Sequence, residues 1–212
     1  MVPIETHETD DERLLHRMLF FTDAVFAIVL TLLALELKPP QTADAREAFA
    51  EIGNHLIAFA VSFAVVAVLW LSHMSMMRKL ARFDWLTAVV NLIFMAPVCL
   101  LPFASSLISG AWFNAMGWRI YSLDLVLTSL CLIALFLVSS RDGGRLIGGI
   151  SSRERWYRVV RAAAPGVAFA AGLLALEFGL LRAPQFIGLW IPVQFLLAEW
   201  LLKPKTPAAV GA

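Results

Sequence analysis

Four ionisable side chains, Arg17, Asp23, His73 and Asp84, lie in or beside runs of otherwise apolar residues. Charge is expensive in such surroundings, so each needs a partner or a task. These types suit two kinds of chemistry. Asp23, His73 and Asp84, joined by Asp124, Glu177 and Glu199 further along, have the makings of a proton relay, as in proton-coupled transporters. The same groups are also able to tie helices together by hydrogen bonds. Hydrolysis is poorly supported, because the chain has no His-Glu-x-x-His, no paired aspartate motif and no Cys/His cluster. Ser105 and Ser106 have no histidine expected nearby. No catalytic residue, no metal ligand and no enzymatic activity are therefore expected.

Membrane-spanning helices must position these groups. Of 212 residues, 60% are apolar and 16% charged, with a mean hydropathy of +0.77; soluble domains average about 25% charged. A net charge of +1 gives no electrostatic case for binding nucleic acid. A span needs about 20 mostly apolar residues. Six runs qualify, at 18–37, 52–74, 85–108, 118–138, 159–181 and 186–202. The fold expected is an all-α integral membrane protein with six transmembrane helices. Residues 1–17 form an N-terminal segment, 18–202 the helical domain and 203–212 a tail.

Thirteen of the 17 lysines and arginines fall on the side of the N-terminus, and only Lys38, Arg46, Arg119 and Arg182 on the other. The positive-inside rule then places both termini in the cytoplasm, for a multi-pass protein of the cell inner or plasma membrane. The loop RDGGRLIGGISSRERWYR, 141–158, obeys that rule and is also a candidate contact for anionic lipid. Its GGRLIGG stretch lacks the Gly-Lys-Ser/Thr ending and the preceding strand of a phosphate loop. Cys99 and Cys131 lie in apolar runs and read as small buried hydrophobes.

On a helical wheel of about 100° per residue, with Asp23 at zero, Ala24, Ile28, Thr31 and Leu35 form one stripe between about 80° and 140°. Arg17 falls in line with it, one end lower. Phe26, Leu30, Leu33 and Leu37 lie opposite. Asp23 is beside the stripe and points towards a neighbouring helix. The stripe fits ordinary helix packing. It equally fits a pore wall made by copies of this helix around an axis. Arg17, His73 and Asp84 should lie at a similar depth, as candidate partners for Asp23.

The run Arg17-x-x-x-Phe21-Thr22-Asp23, continued through Ala24 to Leu33, resembles the signature of the transmembrane-protein-175 family, potassium channels of endosomes and lysosomes with bacterial homologues. Trp70-x-x-His73, Asp84, Asn91 and Leu101-Pro102-Phe103 extend the resemblance over residues 17–108. It implies a homotetramer of six-helix subunits, with a central pore lined by the first helix. It also implies no carbonyl filter, in keeping with the absence of Thr-Val-Gly-Tyr-Gly. By position, Ile28 is the apolar constriction, and Thr31 and Leu35 the next layers. Arg17, His73 and Asp84 match positions that join helices one to three. Two departures stand out: Thr22 replaces the usual serine, and Met74 stands where a second histidine is often found. The function implied is a cation channel modestly selective for potassium over sodium, gated and filtered at its hydrophobic neck. Its partners would be other copies, membrane lipid and permeant monovalent cations, with no cofactor besides the permeant potassium ion. A proton-coupled secondary transporter is the alternative.

Overall fold

The computed structural model describes residues 9–109, 114–141 and 152–179. Among them are five helices: α1 (Asp10–Leu35), α2 (Ala45–Met77), α3 (Trp85–Ser109), α4 (Ala115–Ser139) and α5 (Ser152–Glu177). All five are long and apolar enough to cross a membrane. The sixth expected span, 186–202, and the tail lie outside the described residues.

Local sequence sets the helix starts. α1 begins well before its apolar run because Thr9 and Glu12 form a capping box: the Thr9 N–H donates to Glu12 Oε2 at 2.7 Å, and the Glu12 N–H to Thr9 Oγ1 at 3.3 Å. Asp10, Asp11 and Glu12 in the first turn suit the positive pole of the helix. Hydropathy is blind to such a polar turn. Asp44 caps α2 by accepting from the Arg46 and Glu47 N–H groups, both at 2.9 Å. At 33 residues, α2 is about 50 Å long, so it outreaches the hydrocarbon core. Asn114 caps α4 in the same way.

α1 lies against α2 and α3, while α4 lies between α3 and α5. The shared core includes Phe26, Val29 and Leu33 of α1, Val65 and Leu69 of α2, Phe94, Val98 and Leu101 of α3, Trp118, Tyr121 and Leu125 of α4, and Phe169 of α5. Small residues set the closest approaches, as is common between membrane helices. A Cβ on Gly117 would come within 2.5 Å of the Leu107 carbonyl oxygen, and one on Gly166 within 2.6 Å of Ser129 Cβ.

Polar ties mark the two ends of the bundle. At one end Lys79 pairs with Glu154. Arg158 there donates to Glu154 at 2.9 Å and to the Ser75 carbonyl at 2.7 Å. Arg141 pairs with Asp84 at 2.7 Å. We refer to this as the basic end. At the other end Arg119 pairs with Glu177 at 2.8 Å. Glu177, which falls within the expected span 159–181, instead closes α5 and has a cationic partner. The cysteines are a second correction. Both are free thiols, but Cys99 is exposed and Cys131 only half-buried, because they fall on outward faces of their helices.

Candidate functional site: the outward stripe of α1 and its polar tether

α1 has two unlike faces. Leu15, Thr22, Phe26, Val29 and Leu33 are buried, and their spacing of seven, four, three and four residues makes one stripe. On another side Ile28 is 57% exposed and Leu35 75% exposed. Thr31 between them is exposed too. Its hydroxyl donates to the Ile28 carbonyl at 2.7 Å, which satisfies the proton and leaves oxygen lone pairs free to accept. Ala24, beside them on the wheel, is half-buried.

A hydrogen-bond chain holds the buried face. Thr22 Oγ1 donates to the Met18 carbonyl at 2.9 Å. That leaves its lone pairs to accept from Asn91 Nδ2, at 2.8 Å. Asn91 must then turn its Oδ1 towards His73 Nε2, at 2.8 Å. A carbonyl oxygen only accepts, so the proton of the imidazole belongs on Nε2. One polar path thus crosses from α2 through α3 to α1. Thr22, His73 and Asn91 are all almost wholly buried. The imidazole also stacks on Phe94, with centroids 5.5 Å apart, and packs beside Phe26 at 5.9 Å.

Asp23 stands next to this path, as the wheel placed it. Its Oδ1 accepts from Trp70 Nε1 of α2 at 3.0 Å. Asp84 is a separate centre. Its Oδ2 accepts from the N–H and hydroxyl of Thr87, at 2.8 and 2.9 Å, and so caps α3. Its Oδ1 receives Arg141.

Within one chain the structure does not bring Arg17, His73 and Asp84 into one hydrogen-bonded set. His73 is spent on Asn91, and Asp84 on Thr87 and Arg141. Arg17 is exposed, with no bond to Asp23, His73 or Asp84 among the described residues. The reason is angular: Arg17 lies in line with the Ile28 stripe and so cannot reach the opposite, buried face. Phe21 of the motif is likewise half exposed. The partner that sequence reasoning missed is Arg141. No local spacing links it to Asp84, because 57 residues separate them.

Asp84 lies just outside the spans, and its ionisation is legible. Desolvation favours the neutral acid, but the Thr87 donors and the Arg141 guanidinium together outweigh it and hold the carboxyl below its usual range. A lowered native value means that the stabilisation is complete above about pH 3.9, the ordinary value. It is lost as pH falls through the lower native one. The melting-temperature deficit of Asp84→Asn is therefore expected to be the same at pH 7 and pH 5, worth about 1 kcal/mol, and to close only below about pH 4. A deficit already halved at pH 5 would contradict this assignment.

The family described as endosomal/lysosomal potassium channel TMEM175 matches residues 17–102, from Arg17 to Pro102 and so across every residue of the tether. Residues 17–102 of this chain are thus similar to the TMEM175 family. A potassium channel of Streptomyces collinus is 26% identical over 187 residues, which cover 77% of this chain and 91% of that one. A potassium channel of Chamaesiphon minutus is 33% identical over 94 residues, 42% of this chain and 46% of that one. The endosomal/lysosomal proton channel TMEM175 of Rattus norvegicus is 27% identical over 125 residues, 57% of this chain and 23% of that one. The match thus spans nearly all of the first relative but less than half of the other two. The fold matches the crystal structure of a lysosomal potassium-selective channel TMEM175 homologue from Chamaesiphon minutus. Its TM-score is 0.73 at 21% identity, covering 86% of this chain and 96% of that one. TMEM175 proteins are ion channels and not enzymes. This chain is a multi-pass membrane protein.

Proposed function

We propose that four copies of this chain, each a six-helix subunit, assemble around α1 and conduct potassium in modest preference to sodium. The observation that carries this reading is the division of α1. One face is tethered by Thr22, Asn91 and His73, while Ile28, Thr31 and Leu35 are left uncovered by the chain's own bundle. Copies of the helix meeting at an axis would turn those three side chains inward. Four Ile28 side chains then form a neck that blocks ions by dewetting when narrow. When wider, it passes a cation that has shed part of its water. Potassium sheds water more readily than sodium. Thr31 oxygens replace some of what is lost, and no carbonyl ring enforces strict selection. The tether and the Trp70–Asp23 bond hold the helix at the angle this requires. The relatives' names, potassium channel and proton channel, set the ions to compare. With the basic end cytoplasmic, both termini lie inside, in the cell inner or plasma membrane.

Flux from liposomes along gradients of potassium, sodium, caesium and protons tests the reading. Potassium flux needing no proton gradient supports it. Strict coupling to protons would favour the carrier instead. One observation keeps that alternative on the page: Asp124 is buried, and its Oδ2 has no hydrogen-bond partner among the described residues. The other described relay candidates have partners, with Asp23 on Trp70, His73 on Asn91, Asp84 on Arg141 and Glu177 on Arg119.

Arg17 extends outward at the inner end of the same stripe, so its partner in this reading belongs to a neighbouring copy. Arg17→Ala is expected to shift most of the protein from tetramer to smaller species on size exclusion. An unaltered tetramer would remove Arg17 from the assembly.

A further inference from the structure

The structure assigns a lipid site to the groove between the end of α4 and the start of α5: an anionic phospholipid docks there, its phosphate on Arg155 and its glycerol and upper acyl chains against Trp156, Val159 and Leu137. This inference rests on the chain spanning a membrane and is independent of what it conducts.

The groove has a volume of about 380 Å³ and is lined by those four residues. Three of them are apolar or aromatic, and one is a cation. Charges in this turn of α5 are sorted. Glu154 turns inward, where Lys79 and Arg158 neutralise it. Its flanking residues Arg153 and Arg155 are exposed. Neither has an ion pair or hydrogen bond among the described residues. The one acid of the first turn is thus spent inside the protein, and the positive charge left over faces out.

Depth fits a headgroup. Arg155 and Trp156 lie in the first turn or so of α5, at the basic end. Trp156 is 68% exposed, and tryptophan favours the headgroup level. Deeper along the two helices the outward residues are apolar: Val160, Val167 and Leu174 on α5, Leu130 and Leu137 on α4. Within the groove one unpaired cation, Arg155, above a continuous oily wall complements an amphiphile with a negative head. A soluble anion would gain nothing from the wall.

The test uses the purified full chain in detergent, with thermal stabilisation followed as lipid is titrated. Phosphatidylglycerol should reach half its effect at about one fifth of the concentration phosphatidylcholine needs, the gain expected of one basic side chain near an anionic headgroup. Arg155→Gln should abolish that preference and Arg153→Gln should keep most of it. Trp156→Ala should weaken both lipids equally while the assembly keeps its size. Four results would overturn the site: a preference surviving in Arg155→Gln, which shows that Arg155 holds no phosphate; equal losses in the two arginine variants, which show diffuse attraction only; the same stabilisation from inorganic phosphate, which shows a soluble-anion site; or a change of assembly size in Trp156→Ala, which shows that a second copy covers the groove.

Discussion

Ile28→Asn is expected to raise cation flux and pull the potassium-to-sodium ratio towards one. The asparagine side chain has as many non-hydrogen atoms as isoleucine but is less bulky, so the neck is not narrowed while its chemistry changes. Isoleucine offers water no hydrogen bond, and a narrow ring of four empties spontaneously. Asparagine offers a carbonyl and two N–H donors. Water then stays in the neck, a cation crosses with more of its hydration shell, and the difference in dehydration cost between the two ions no longer matters. A barrier lowered by about 1.4 kcal/mol would give a tenfold rise in rate, and we expect a change of that order. Leu35→Asn, in a layer beyond the Ile28 constriction, should do less. Unchanged flux and ratio in Ile28→Asn would remove that residue from the ion path.

Asn91→Ala is expected to be the most destabilising single change in the tether. Interhelical hydrogen bonds inside membranes average only about 0.6 kcal/mol, because the unfolded chain finds other partners. Removing Asn91 does more than delete bonds. His73 and Thr22 stay in place, both buried, with a donor and an acceptor left unmatched, at about 1–3 kcal/mol each. The melting temperature in detergent should fall by about 4–24 °C, at roughly 2–4 °C per kcal/mol for a chain of this size. Thr22→Val removes one link and should cost less. The double variant should cost less than the two singles together, because both break the same path. Strict additivity would mean that Thr22 and Asn91 do not share a bond that matters.

Residue types and spacing made much of this legible. Apolar run length placed the cores of five helices, since the need to bury backbone hydrogen bonds in lipid leaves few options. The wheel separated Ile28, Thr31 and Leu35 from Phe26 and Leu33, and their burial divides the same way. It also turned Asp23 towards a neighbour. What escaped was tertiary. The polar start of α1 is written in Thr9 and Glu12, a capping box that hydropathy does not weigh. The Arg119–Glu177 pair escaped because the end of α5 and the approach of Arg119 both depend on how α4 and α5 pack. The Arg17–His73–Asp84 grouping came from shared depth and from the family resemblance. Depth says nothing of angle, and angle sends Arg17 outward, His73 to Asn91 and Asp84 to Arg141.

The central claim is that the Ile28 stripe faces an aqueous ion path and not acyl chains. Cysteine in place of Ile28, on a background of Cys99→Ser and Cys131→Ser, puts one thiol at that point. Potassium flux from liposomes should then stop when a small water-borne thiol reagent is added, while Leu130→Cys on the same background, on an outward face of α4, should continue to conduct. Flux that the reagent leaves untouched in the Ile28→Cys protein, with the thiol unmodified, would place this residue in the lipid and contradict the account.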